Sequence, residues 1–417
     1  MSLQPTANLT VTQPAGSGDV FVSILGTDPT TGTFSYLDFT TGKLVAYSSY
    51  KSLTTSQLLS SLKMPVGIPA MKSARIYFAV GTDFDTTTFP AQSGPSSSKN
   101  QTVMFDKVEF DTSSAGNFNI NSTNVDFYAL SYTMSLQNQS GDNVSVGLSS
   151  TRTEILTAMS KIPVANAGKN PGNTEIYQQL FVTDSKKNVV RYIAPKAAAL
   201  TDWGSYSQEF THYLDDYIRN KVFVPNRQFS FYDKFYPNPK NTYYGQISSD
   251  GTTMSLYTDS ARKNLYLTLN RPMNGFGKPD FKNDPQYFHN TSGTENNQVD
   301  WGFLLLGNVA GTGLAADWGS DPAAMAILVS ICRGVAHLDD GCTEWVKTSG
   351  FYQGDAGKST ENQPIEYYSK ILHANAPGGA AYTLSYDDVY GQNSSVFFNS
   401  GQAITIALTS IEKVVLS

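Results

Sequence analysis

Residues 103–134, VMFDKVEFDTSSAGNFNINSTNVDFYALSYTM, decide how the rest of this 417-residue chain is read. Two strand-like runs flank a bend rich in Gly and Asn. Side chains alternate across a strand, so Phe105, Lys107, Glu109 and Asp111 share one face, and Asp106, Val108 and Phe110 take the other. In the second run Asn124, Asp126 and Tyr128 form a polar face, with Val125, Phe127 and Ala129 opposite. Glu109 and Asp126 thus fall on neighbouring strands. Two carboxyls so placed can flank a glycosidic bond, one as general acid and the other as base. Two solvated acids on a sheet face explain the same spacing.

Outward from this stretch, strands dominate both ends of the chain. Residues 20–25 read as a buried strand, and 34–39 and 44–47, joined across Thr41-Gly42-Lys43, as a hairpin. Residues 91–100 read as a loop, the pattern weakens after Met134, and 163–174 look like a long excursion. Phe210, Tyr213, Leu214, Tyr217 and Ile218 recur at helical spacing and predict a helix near 206–220. Runs 229–232, 243–247 and 264–269 return to strand character. Asp321-Pro322 is a helix start that opens an almost uncharged, buried helix over 323–336. A further helix is expected over 364–375, with Tyr368, Ile371 and Leu372 inward. The implied architecture is a β-rich body, barrel or sandwich, with an α/β insertion. The expected divisions are an N-terminal arm over 1–17, a β domain from 18–150 and 377–417, and a mixed α/β domain over 151–376. A cleft between two such bodies suits an extended polymer.

Composition narrows the function classes. The chain holds 24 Tyr and 23 Phe against only 15 % charged residues, a balance suited to stacking on sugar rings. A net charge of −6 and the lack of any dense basic run argue against nucleic acid. No apolar run approaches the ~20 residues of a membrane span. The four histidines, His212, His289, His337 and His373, lack metal-site spacing, and no G-x-S-x-G elbow or dinucleotide loop occurs. Asp83 and Asp85 lack the twelve-residue calcium-loop signature. No metal or cofactor is therefore expected. Cys332 and Cys342 could close a small disulfide loop or stay as thiols. Seven Asn-x-Ser/Thr sequons suit an exposed surface. Residues 1–19 lack signal-peptide character, and Met1-Ser2-Leu3 reads as a cloning remnant, so a natural leader is expected to have been removed.

The pieces Val108-Glu109-Phe110, Gly116-Asn117-Phe118 and Asn121-Ser122-Thr123-Asn124-Val125-Asp126 resemble the catalytic segment of glycoside hydrolase family 64, the β-1,3-glucanases. Residues 73–78, SARIYF, 368–373, YSKILH, and 381–389, AYTLSYDDV, follow the same family in the same order, and the likeness spans roughly 18–415. The resemblance implies a thaumatin-like barrel and a mixed α/β domain flanking a wide groove. It implies endo-acting, inverting hydrolysis of β-1,3-glucan, with Glu109 as acid and Asp126 as base. It also implies substrate contacts from Asp111, Phe118 and Thr123, with Phe118 a candidate stacking platform whose alternative is an ordinary core aromatic. Asp111 stands where the family more often has Thr, and its like charge is expected to raise one pKa of the pair. Asp387 and Asp388 match a late motif read as structural. A secreted monomer is expected. The competing class is a non-catalytic thaumatin-like protein that binds β-glucan.

Overall fold

A computed structural model describes residues 7–47, 57–84, 99–113, 117–162, 176–200, 210, 214, 217–233, 241–271, 287–290, 297–298, 322–352, 365–384, 387 and 392–416. Asp85, Gly116, the excursion at 163–174, His212, Asp321 and Asp388 lie outside them, as does most of the helix expected near 206–220.

The β-rich expectation holds, and it resolves into separate sheets. The largest has eight strands. Its main path runs from Val396–Phe398 through Phe118–Ser122, Met104–Thr112, Lys72–Val80, Val20–Thr27 and Phe34–Asp38 to Lys43–Ala46. Met104–Thr112, the acid strand below, sits near its middle, antiparallel to both neighbours. A five-stranded sheet joins both ends of the chain. There Ala403–Ser410 pairs with Ser131–Gln137 on one side and, in parallel, with Ala7–Thr12 on the other. Residues 7–12 are therefore a strand and not part of a loose arm. Ala7, Leu9 and Val11 alternate inward, and burying that apolar row outweighs the freedom of a terminal segment.

The two sheets share a core in which Phe78 meets Tyr132 with ring centroids 6.3 Å apart. Tyr132 also donates its hydroxyl to the carbonyl of Lys107 at 2.8 Å, tying the five-stranded sheet to the acid strand. The strand Asn143–Gly147, not anticipated after Met134, pairs with Ser131–Gln137 and ends at a glycine that nothing else could replace. Gly147 has φ 111°, and a Cβ there would meet the Tyr132 carbonyl at 2.3 Å.

The middle of the chain carries a six-stranded antiparallel sheet, from Gln228–Tyr232 to Asn297–Gln298, and the helices Arg152–Ser160, Pro322–Cys332 and Tyr367–Ala374. Pro322–Cys332 stops earlier than expected because Gly334 turns the chain with φ 74°. Tyr367–Ala374 is capped by Glu366, whose carboxylate accepts the N–H groups of Tyr368 and Ser369. A fourth, three-stranded sheet pairs Phe127–Tyr128 with Val189–Ile193, so strands from both sides of residue 150 share one sheet. The considered disulfide does not form. Cys332 is buried in its helix, and Cys342 Sγ lies 3.8 Å from Ser230 Oγ.

Candidate active site

Strand parity builds the site. In the acid strand Asp106, Val108 and Phe110 face the core, while Lys107, Glu109 and Asp111 face the other way. Register adds Arg75 opposite Glu109 on one neighbour and Asn121 opposite it on the other. The next row is Ser73, Asp111 and Asn119, where the Ser73 N–H donates to Asp111 Oδ2 at 3.0 Å. Ser73 adopts a left-handed φ of 47°, a conformation that costs energy for a non-glycine residue. Ser73, Arg75, Glu109, Asp111, Asn119 and Asn121 line a shallow depression of about 270 Å³.

Asp126 reaches this face by a different route. It sits in a bend between Phe118–Ser122 and Phe127–Tyr128, not on a strand beside the acid strand. That corrects the neighbouring-strand expectation. The chain leaves the eight-stranded sheet here and joins the three-stranded one, so no ladder holds the bend. Its backbone is fixed from elsewhere. The Asn124 N–H donates to the Tyr382 carbonyl at 2.8 Å, Tyr368 Oη donates to the Asn124 carbonyl at 2.5 Å, and the Ala194 N–H donates to the Asp126 carbonyl at 2.9 Å. Just beyond, the buried Asp106 carboxylate accepts the N–H groups of Ala129 and Leu130, both at 2.9 Å.

Lys107 brings the two acids together. Its Nζ lies 3.5 Å from Glu109 Oε1 and in direct contact with Asp126 Oδ2. Oxygens that touch one ammonium are at most about 6 Å apart, since a charge-assisted contact spans about 2.8 Å. Both carboxyls therefore lie on one side of the sheet. Arg75 Nε meets Glu109 Oε1 at 3.0 Å from the flank. Glu109 and Asp126 keep 24 % and 28 % side-chain exposure while Lys107 keeps 5 %, so the acids face solvent over a buried cation.

The electrostatics follow from that burial. Desolvation alone would raise Asp126, but Lys107, Lys196 and Arg75 outweigh it and hold the carboxyl at about 2. Burial would likewise strip Lys107 of its proton, and Asp126 and Glu109 more than offset it, so its pKa lies above the ordinary lysine value. Asp126 is thereby kept as a carboxylate across ordinary pH. The charges in contact with Glu109 are Arg75 and Lys107, and not the Asp111 carboxylate that the sequence pattern suggests.

The remaining expected residues divide. Asp111 is exposed and lines the depression with Glu109. Phe118 is 1 % exposed, stacked on Phe398 at 4.8 Å and on Phe110 at 5.9 Å. It is a core ring with no face to offer a sugar, because it shares parity with Ile120. Thr123 is fully buried, bridges to Tyr382, and does not line the depression. Its Oγ1 has no hydrogen-bond partner among the described residues. Asp387 pairs with Arg333 at 3.1 Å with both side chains sealed from solvent, as a structural residue would.

Arg75, Lys107 and the Asn119–Asn121 pair were not singled out from sequence. Arg75 lies within the strand Lys72–Val80, and its role depends on cross-strand register. Lys107 had a legible signal in its shared parity with Glu109. Among the described residues no group of three or more His, Cys, Asp or Glu could hold a metal, and no helix is long and apolar enough to cross a membrane.

No curated protein matches the chain. Crystal structures share the fold at low identity. One is a β-1,3-glucanase domain from Clostridium beijerinckii, 18 % identical, with a TM-score of 0.64 over 97 % of this chain and 98 % of that one. Another is a laminaripentaose-producing β-1,3-glucanase in complex with laminaritetraose, 18 % identical, with a TM-score of 0.67 over 98 % and 99 %. A third, from Paenibacillus barengoltzii, is 17 % identical, with a TM-score of 0.56 over 97 % and 76 %. The family model of the β-1,3-glucanases matches residues 5–409, so the chain that places Glu109 and Asp126 on one ammonium belongs to glycoside hydrolase family 64.

Proposed function

We propose that the protein is an endo-acting β-1,3-glucanase that hydrolyses glucan of the laminarin and curdlan type with inversion. The observation that carries this reading is the contact of Glu109 and Asp126 with the one Lys107 ammonium beside an open depression. Glu109 gives its proton to the glycosidic oxygen as the bond to the anomeric carbon breaks. Asp126 takes a proton from the water that attacks that carbon from the opposite side. A base must be ionised before it can act, and a carboxyl held at about 2 meets that requirement.

Inverting pairs stand ~6.5–9.5 Å apart and retaining pairs ~5–5.5 Å. The bound of about 6 Å on the two oxygens that touch Lys107 lies between these ranges, and the anomer released first decides between them. Inversion needs the Lys107 ammonium to leave room for one water between Asp126 and the sugar. The two-sheet body corresponds in this reading to the thaumatin-like barrel, and the depression to part of a wide groove. The protein would act outside the cell as a monomer, on a polysaccharide and not on nucleic acid or membrane.

Incubation with laminarin or curdlan, without added metal or nucleotide, tests the function. New reducing ends on internal fragments, with the α-anomer released first, are expected. Binding of glucan with no new ends over long incubation would reassign the protein as a non-catalytic binder. A first-formed β-anomer would replace inversion by retention.

A further inference from the structure

With Phe118 buried, the site lacks the aromatic platform expected of it, and sheet register supplies another. Phe397 is 55 % exposed, among the most exposed large hydrophobic side chains of the molecule, and it sits on the edge strand Val396–Phe398. Its neighbours Val396 and Phe398 are buried, and Phe398 stacks on Phe118 inside the core. Phe397 therefore points to the opposite face, the face of Glu109. Its cross-strand partner is Asn119, which in turn pairs with Asp111, giving one row that runs Ser73, Asp111, Asn119, Phe397.

Between the acid and this ring lie two amide oxygens with no partner among the described residues. Asn119 Oδ1 and Asn121 Oδ1 are both shielded from solvent, make no hydrogen bond among the described residues, and belong to residues that line the depression beside Glu109. A buried acceptor left unmade is costly. A sugar hydroxyl seated in the depression satisfies it once the amide turns toward the space that its residue already lines. The strip thus offers hydroxyl acceptors followed by an apolar ring, the two surfaces that a pyranose presents as hydroxyl edge and C–H face.

We propose that Phe397, with Asn119 and Asn121, forms a glucosyl subsite on the leaving-group side of the cleavage point. This rests on the hydrolase reading above. Asp126 touches Lys107, which lies on the residue-107 side of Glu109 along the acid strand. The row of Asp111, Asn119 and Phe397 lies on the other side. The attacking water, the anomeric carbon and the leaving oxygen follow one line, so the chain that departs extends past Glu109 over this row. Phe397 is two strands from the acid strand, roughly 10 Å across at the usual strand spacing, so it meets a sugar beyond the bond that breaks.

The test compares wild type with Phe397→Ala and Phe397→Trp on a ladder of reduced β-1,3-gluco-oligosaccharides, with thermal melting as the folding control. Phe397→Ala should raise KM about tenfold for the longer oligosaccharides, the worth of one stacked aromatic contact. It should shift the cleavage position along the chain, with kcat changed little. Phe397→Trp should restore both. Asn119→Ala should raise KM in the same long substrates. Unchanged KM and unchanged cleavage positions in a well-folded Phe397→Ala, with an active wild type, would overturn the subsite and leave the glucanase reading intact. A wild type that cleaves no member of the ladder would remove that reading and the subsite with it.

Discussion

Two clusters of opposite charge in this molecule differ in what they leave unfinished. Around Asp387 the ion pair with Arg333 is sealed from solvent at both ends. The same carboxylate accepts the N–H groups of Thr383 and Leu384 at 2.7 and 2.8 Å and the Thr383 hydroxyl at 2.9 Å, with His373 Nε2 at 3.3 Å. Burial works against its charge, and His373, Arg333 and these donors hold it at about 2 all the same. Around Lys107 it is the cation that is buried, while both carboxylates reach solvent. A closed cluster serves the fold, since neither charge can meet a ligand. An open cluster over a buried cation holds two carboxyls ready for something that arrives from outside.

That contrast gives its largest expected effect at the open cluster. Glu109→Gln and Asp126→Asn should each cut turnover about 10²–10⁴-fold, the typical worth of a general acid or base. Glucan binding and melting temperature should stay near wild type. Initial rates on laminarin beside calorimetric melting separate the two readouts. Near-normal turnover in either variant would remove that residue from the chemistry.

The closed cluster should respond the other way round. Asp387→Asn leaves the Arg333 charge buried without its counter-ion, and breaking such a pair costs about 3–5 kcal/mol. Denaturant unfolding should show that loss, while kcat per folded molecule is retained. Equal stability with lost activity would mean that Asp387 belongs to the reaction after all.

A third test addresses the cation between the acids. Lys107→Met keeps the stem and removes the charge that most lowers Asp126. The pKa of Asp126 should then climb from about 2 toward or past the usual carboxylate range. The acid limb of the kcat profile should move to higher pH by at least a unit. The linked stability has a defined sign. A depressed carboxyl stabilises the fold fully above its unfolded pKa of 3.8 and loses that contribution as pH falls through about 2. In Lys107→Met the acid-side loss should begin at higher pH. An unmoved acid limb would show that Lys196 and Arg75 suffice.

How much of this was legible in the sequence depends on whether the cause was local. Alternation placed Glu109 on a polar face, and ordered motifs around it singled out Asp126. The hairpin at 34–47 and the strands near 229–269 also follow from local pattern. Parity could have excluded Phe118, because Phe118 and Ile120 alternate with Asn119 and Asn121. The resemblance to a stacking position kept both readings of Phe118 open. Arg75 opposite Glu109 needed strand register, and the exposure of Phe397 needed the sheet edge, since Val396-Phe397-Phe398 is apolar throughout and carries no parity. The burial of Lys107 required knowing that a bend, held by Tyr368, Tyr382 and Ala194, would bring Asp126 over it. The strand at residues 7–12 depends on Ala403–Ser410, almost 400 residues away in sequence.

The smallest effect concerns the far face of the acid strand. Asp106 is wholly buried, and burial raises it to about 7 against the pull of the Leu130, Ala129 and Lys107 N–H groups. A carboxyl whose folded pKa is raised binds its proton more tightly in the native state than in the unfolded chain. Stability should therefore fall as pH rises from about 3.8 to about 7 and level off above that. This slope is opposite to the one that Asp126 produces at lower pH, so the two can be read separately. Asp106→Asn removes the titration and keeps one acceptor for the Ala129 and Leu130 N–H groups. Its stability between pH 4 and 7 should be flatter than wild type, read by unfolding midpoints in urea. Because Asp106 anchors the segment just past Asp126, turnover in this variant should drop only a few-fold, through a loosened bend. A wild-type profile with no downward slope in that window would show that the hydrogen bonds keep Asp106 ionised, and would make it a plain structural anion like Asp387.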